Sequence, residues 1–138
     1  MTTFARPHLT LTAARNAIQA MLDGVAKAGR PVAMAVVDEA GGLIAYVCMD
    51  GTRPTPRQIA IRKAYTAARS GSDSHAFAER LKGQGMSVGD LGDPGMVGVR
   101  GGVVIVKDGV VLGGIGVSGL AAEEDEALCR VGLSAMKL

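Results

Sequence analysis

The chain has 138 residues, of which 48% are hydrophobic and 20% charged, and a net charge of +2. That describes one globular domain with enough apolar surface for a core, and it excludes a disordered chain. The small charge and 3% aromatic content argue against nucleic-acid binding, and no apolar run is long enough to span a bilayer.

In chain order, Leu11, Ala14, Ile18, Met21, Leu22 and Val25 recur at helical spacing. They predict a helix from Thr10 to about Ala28, with Thr10 as N-cap and Gly29 just past its end. Two apolar runs follow, 32–37 and 43–49, around Asp38-Glu-Ala-Gly-Gly42, and predict a hairpin. The first run lacks alternation and reads as a strand covered on both faces. After the turn 50–56, a helix is expected from about Pro56 to Ser70, with a face of small residues at Ala60, Ala64, Ala67 and Ala68. Ser72 or Ser74 would cap a further short helix through Phe77 and Leu81.

Residues 83–99 read as one long loop, apolar enough to fold over something. Of the 20 glycines, 13 lie between Gly83 and Gly119, which implies tight turns or close backbone approach there. Asp108-Gly109 between β-branched runs predicts a second hairpin. A last helix spans about Leu120 to Met136, capped by Ser118, with an apolar stripe of Leu128, Val131 and Ala135. The order helix, hairpin, helices, hairpin, helix gives an α+β fold: an antiparallel sheet with helices packed on it.

Residues 114–119 match the spacing G-x-G-x-x-G, but the dinucleotide fingerprint needs a βαβ unit and a later acidic residue, and here the preceding strand belongs to a hairpin. The sequence therefore favours a glycine-rich strand under a helix. A middle reading has the helix start at 118–121 receiving an anion. His8 and His75 are the only histidines, each a surface residue or a ligating or acid–base group. Asp38 reads first as an Asx-turn residue. Arg62, Lys63, Thr66 and Arg69 lie close along one helix, as a solvated face or as a basic wall for a carboxylate or propionate. Asp125 reads as a first-turn acid that complements a helix dipole. Cys48 and Cys129 have no metal or redox spacing, so they read as reduced thiols, and with no secretory leader in the first residues the expected location is cytoplasmic.

The segments 9–22 (LTLTAARNAIQAML), 32–52 (VAMAVVDEAGGLIAYVCMDGT), 59–68 (IAIRKAYTAA) and 101–133 together resemble the GlcG/HbpS-like family. The resemblance implies a profilin-like three-layer α/β/α sandwich with a five-stranded antiparallel sheet, which leaves 95–100 as the place for a fifth strand. It also implies homo-oligomers, tetramers or octamers, and an intracellular branch for a chain without a leader. The family-like polar positions here are Asp38, Asp50, Lys63, Thr66, Ser118 and Asp125. Cys48 stands where the family usually has an arginine, and Val103-Val104 follow Gly101-Gly102 where it often has a proline.

Three functions follow from the resemblance and the residues. The first is a small-molecule binder for haem or another tetrapyrrole. His8, His75, Met49, Met86 and Met96 are candidate ligands, and Arg62, Thr66, Ser118, Gly119 and Asp125 line the cofactor. The second is a cofactor-free lyase or isomerase on a small anionic metabolite, in a pocket under the 83–99 loop. Lys63 binds its carboxylate and Asp38 or His75 moves a proton. The third is an assembly subunit without chemistry. No metal site and no nucleic-acid or membrane partner is expected.

Overall fold

A computed structural model describes residues 2–138. The elements are α1 (Leu11–Val25), β1 (Ala33–Asp38), β2 (Leu43–Cys48), α2 (Pro54–Ser70), α3 (Ser74–Gly83), a 3₁₀ turn (Val88–Leu91), β3 (Gly102–Lys107), β4 (Val110–Ser118) and α4 (Ala122–Ala135). All strand pairs are antiparallel, in the order β2-β1-β4-β3.

Alternation along the strands divides the core in two. Met34, Val36, Val103, Ile105, Ile115 and Val117 point to one face, under α1 and α4. Ala35 and Val37 point to the other, under α2 with its Ala64 and Ala68. The result is three layers, helices on both faces of a four-stranded sheet.

The glycine-rich strand is what lets α2 come close. A Cβ on Gly114 or Gly116 would collide with the carbonyl oxygens of Ala64 or Ala60, and one on Gly102 with that of Lys63. The small face of α2 therefore rests directly on a row of glycines. The G-x-G-x-x-G spacing is explained by this packing, and its last glycine, Gly119, turns the chain at φ 138° against the Pro31 carbonyl.

Both hairpins form where expected. Asp108 and Gly109 take φ 51° and 76°, the left-handed pair of a two-residue hairpin turn. Thr10 caps α1, its hydroxyl accepting from the Ala13 N–H at 3.1 Å.

Two helix starts and one apolar stripe differ from expectation. α2 starts at Pro54, because proline at the first helical position gives up an N–H that has no partner there anyway. α4 starts at Ala122 with Ala121 as N-cap; Ser118 stays in β4, paired with Ala33 of β1. The stripe of α4 that faces inward is Asp125, Leu128, Cys129 and Gly132, so Val131 points outward at 45% exposure.

The fifth strand is absent among the described residues, and the reason lies at the edge of β3. The outward N–H groups of Gly102 and Val104 are taken by Ser74 Oγ (2.9 Å) and Asp73 Oδ1 (3.0 Å). With those donors occupied, 95–100 has no ladder to join. Its own backbone bonds instead to side chains of α2 and α3.

Candidate functional site

Lys63 was expected to face an anionic ligand. The structure buries it at 2% exposure, and its ammonium donates to Asp125 Oδ2 and to the Val117 carbonyl, both at 2.9 Å. Asp125 Oδ1 accepts the Leu120 N–H at 3.0 Å, so the carboxylate also closes the approach to α4. Burial pushes the Asp125 carboxyl above the usual carboxylate range, against the opposing pull of Lys63 and of the Leu120 N–H. The pair joins α2, β4 and α4 through the interior. Beside it the Cys129 thiol, fully buried, is raised far above the ordinary thiol range and stays protonated.

Thr66 is also a structural residue. Its hydroxyl donates to the Arg62 carbonyl at 2.7 Å and accepts from the Val97 N–H at 2.9 Å. Tyr65 donates to Asp93, whose two oxygens lie 3.1 and 3.0 Å away, and the Arg69 guanidinium lies over the Tyr65 ring and 3.5 Å from Asp93. Ser74 donates to the Val99 carbonyl at 2.7 Å. These bonds fasten residues 93–102 to α2 and α3.

The remaining expected residues are dispersed. Asp38 closes its own turn, with Oδ1 accepting from the N–H groups of Ala40 (2.9 Å) and Gly42 (2.7 Å). Asp38 pairs with Gly113 and Lys63 bonds at Val117, so the two sit about 14 Å apart along β4, four residues at the rise of a strand. Nothing assembles Asp38, Lys63 and His75 into one proton-transfer site. His8 is exposed, its Nδ1 3.2 Å from Glu39 Oε1. Arg62, the residue before Lys63 on α2, is exposed to solvent. Ser118 is buried in the sheet, and Gly119 is exposed in the turn after it.

A ligand-sized space lies outside this network, between α3 and the preceding part of the long loop. It is a groove of about 410 Å³ lined by Ala78, Lys82, Met86, Ser87, Val88, Gly89 and Gly98. That volume is within the range of small-molecule sites. His75, Ala78 and Lys82 occupy positions i, i+3 and i+7 of α3 and share one face, while Phe77 and Leu81 point into the core. His75 is half-buried and makes no hydrogen bond among the described residues. The groove therefore has a thioether at its rim and an ammonium, and the His75 imidazole lies beyond its lining on the same face of α3. No cluster of three metal-ligating side chains occurs among the described residues.

The family described as "Haem degrading protein HbpS-like" matches residues 9–134. The chain belongs to the HbpS-like family. An uncharacterised 15.0 kDa protein of Citrobacter freundii, encoded between dhaT and dhaS, is 30% identical over 91% of this chain and 89% of its own length. The structure of a double mutant of HbpS from Streptomyces reticuli is 32% identical with a TM-score of 0.86, covering 96% of this chain and 89% of that one. The haem complex of PduOC shares the fold, with a TM-score of 0.84 at 21% identity over 94% of this chain and 95% of that one. The resemblance read from the sequence thus identified the family, while the sheet among the described residues has four strands and not the five it implied. No helix among the described residues is long and apolar enough to cross a membrane.

The long loop was expected to fold over a pocket, and its N-terminal half does border the groove. Sequence reasoning missed Asp73, Tyr65 and Asp93 as the residues that set the loop's course. The signal for Asp73 was present: Ser-Asp-Ser directly before an apolar helical pair, with aspartate a strong N-terminal residue. Tyr65 and Asp93 are 28 residues apart, and no local pattern links them.

Proposed function

We propose that this protein binds a tetrapyrrole, haem in the first instance, in the groove between α3 and the long loop. The observation that carries the reading is membership of the HbpS-like family over residues 9–134. The groove fits that group chemically. His75, on the same face of α3 beside the groove, offers an imidazole, a common iron ligand, and its ring nitrogens are not committed to hydrogen bonds among the described residues. Met86 offers a soft thioether at 37% exposure, and the Lys82 ammonium suits a propionate. Ala78, Val88 and the two glycines give an apolar floor on which a flat ring can lie. Bound haem would supply iron chemistry; the chain's own residues orient the ring, hold its carboxylate and shield one face from water.

Self-association belongs to the same reading. Val131 and Leu128 line an apolar groove between the C-terminal half of α1 and α4, a face suited to a second copy.

The test is a haemin titration followed by the visible spectrum, with wild type, His75→Ala, His8→Ala and Lys82→Ala side by side. Wild type should give a saturable Soret shift that survives His8→Ala, weakens in Lys82→Ala and is lost in His75→Ala. A spectrum unchanged in His75→Ala would overturn the assignment of this groove.

A further inference from the structure

The long loop has two halves of different construction. From Asp93 onward it is fastened to α2 and α3 by Tyr65, Thr66 and Ser74. Residues 86–91 are not. They are bounded by Gly85 and Gly92, both in left-handed backbone at φ 73° and 69°, and a Cβ at either would meet nothing within 4 Å.

The segment between these glycines is held together by its own bonds. The Ser87 N–H donates to Asp90 Oδ2 at 2.8 Å, the Asp90 N–H to the Ser87 carbonyl at 3.1 Å, and the Gly92 N–H to the Gly89 carbonyl at 3.2 Å. All of these survive a rotation of the segment as one piece. At its start, a single bond ties it to the helix, Met86 N–H to the Leu81 carbonyl at 2.9 Å. Its one close apolar seat is Val88, whose Cγ2 lies 3.3 Å from the place a Gly98 Cβ would occupy, with Ala78 Cβ 3.6 Å from that same place.

We infer that residues 86–91 are a flap that turns about Gly85 and Gly92, and that Val88 is its latch, holding the flap down as one wall of the α3 groove by seating on Gly98 and Ala78. Glycine at both ends removes the steric barrier to the turn, and the internal bonds make the segment move as a unit. What the flap admits rests on the tetrapyrrole reading above; that it opens does not. Opening lifts Val88 from Gly98 and Ala78 and carries Met86 with it, so the groove, already present beside the seated Val88, widens to admit a flat ligand. Glycine at 98 leaves that seat its room, since a Cβ there would stand 3.3 Å from Val88 Cγ2.

Two experiments test it. In the first, spin labels are placed at Gly89→Cys and Arg62→Cys in a Cys48→Ser background, with Pro94→Cys and Arg62→Cys as the fastened control. Pulsed distance measurements should give two populations, or a much broader distribution, for the flap pair and a narrow one for the control. Equal, narrow distributions overturn the flap. In the second, Val88→Cys with Gly98→Cys is oxidised in the same background, since Val88 Cγ2 lies 3.3 Å from where a Cβ at 98 would stand and the pair can be bridged only with the flap down. Haemin association should slow by about tenfold or more on oxidation and recover on reduction in the same sample. Association at the reduced rate while the disulfide is intact overturns Val88 as the gate. If wild type takes up no haemin yet the flap labels show two populations, the tetrapyrrole reading fails and the flap stands.

Discussion

The interior around Lys63 and the groove along α3 invert what their residue types suggest. The first holds a buried lysine bonded to a buried aspartate with a buried cysteine nearby, the composition of a reactive site, and commits them to the fold. The second holds a half-buried histidine, a lysine and a methionine among small apolar residues, and commits none of the three side chains to a hydrogen bond among the described residues. Availability separates them. A charged group bonded from several elements at once is fixed in place and has no valence left for a ligand, whereas an unengaged one on an exposed face still does.

The sharpest way to break this contrast is to remove one member of the interior pair. Lys63→Met should lower stability by about 3–5 kcal/mol, because Asp125 is left charged in the interior. Lys63→Met with Asp125→Leu should recover most of that loss, since an apolar pair of similar volume carries no desolvation cost. Urea unfolding of the two variants checks both; equal losses would mean that the pair itself, rather than a stranded charge, sets the stability.

Gly116→Ala should cost about 1–3 kcal/mol or more, since its Cβ meets the Ala60 carbonyl and the Ala64 backbone nitrogen and α2 must lift from the sheet. A melting temperature equal to wild type would show that α2 has slack against the glycine row.

Thr66→Val should cost about 1–3 kcal/mol by stranding the Val97 N–H, and the loss should be local. Hydrogen exchange should quicken at Val97 while the core strands keep their protection. Quickening throughout the sheet would make Thr66 part of the core instead of a fastening for the loop.

The smallest effect is a pH slope. Because burial raises the Asp125 pKa, the native chain binds more protons than the unfolded chain just above the ordinary carboxylate range. Stability from this residue is therefore greatest below the unfolded value of about 4 and falls as pH rises through the raised native one. Asp125→Asn should remove that decline, read from unfolding midpoints measured across the acid range. A decline of equal slope in the variant would assign it to other carboxylates.

Much of the fold was legible because its signals are local. Helical spacing placed α1, and Asp108-Gly109 placed the second hairpin, because a left-handed turn tolerates few other residues. The small face of α2 was visible as alanines at Ala60, Ala64 and Ala67, and the row it rests on as glycines at Gly114 and Gly116. Asp38 was recognisable as a turn residue for the same reason, since its partners lie two and four residues away. The site was less legible. Lys63 carries no sign in its own segment that its partner stands 62 residues later, and so its charge suggested a ligand. His75 and Met86 were named only as two among several candidate ligands, because nothing in one dimension shows which share a groove.

The sequence by itself determined the α+β class, both hairpins and the four strands, since each depends on spacing or on a backbone preference within a few residues, and its resemblance over four segments pointed to the family. The tertiary structure alone decided that β3 ends the sheet, that Lys63 and Asp125 are joined inside it, and that α3 presents an open face. Those outcomes turn on which buried donors find acceptors across long stretches of chain: Asp73 and Ser74 occupy the edge that a fifth strand would need. A buried polar group must be satisfied wherever its partner lies, and only the folded chain specifies where that is.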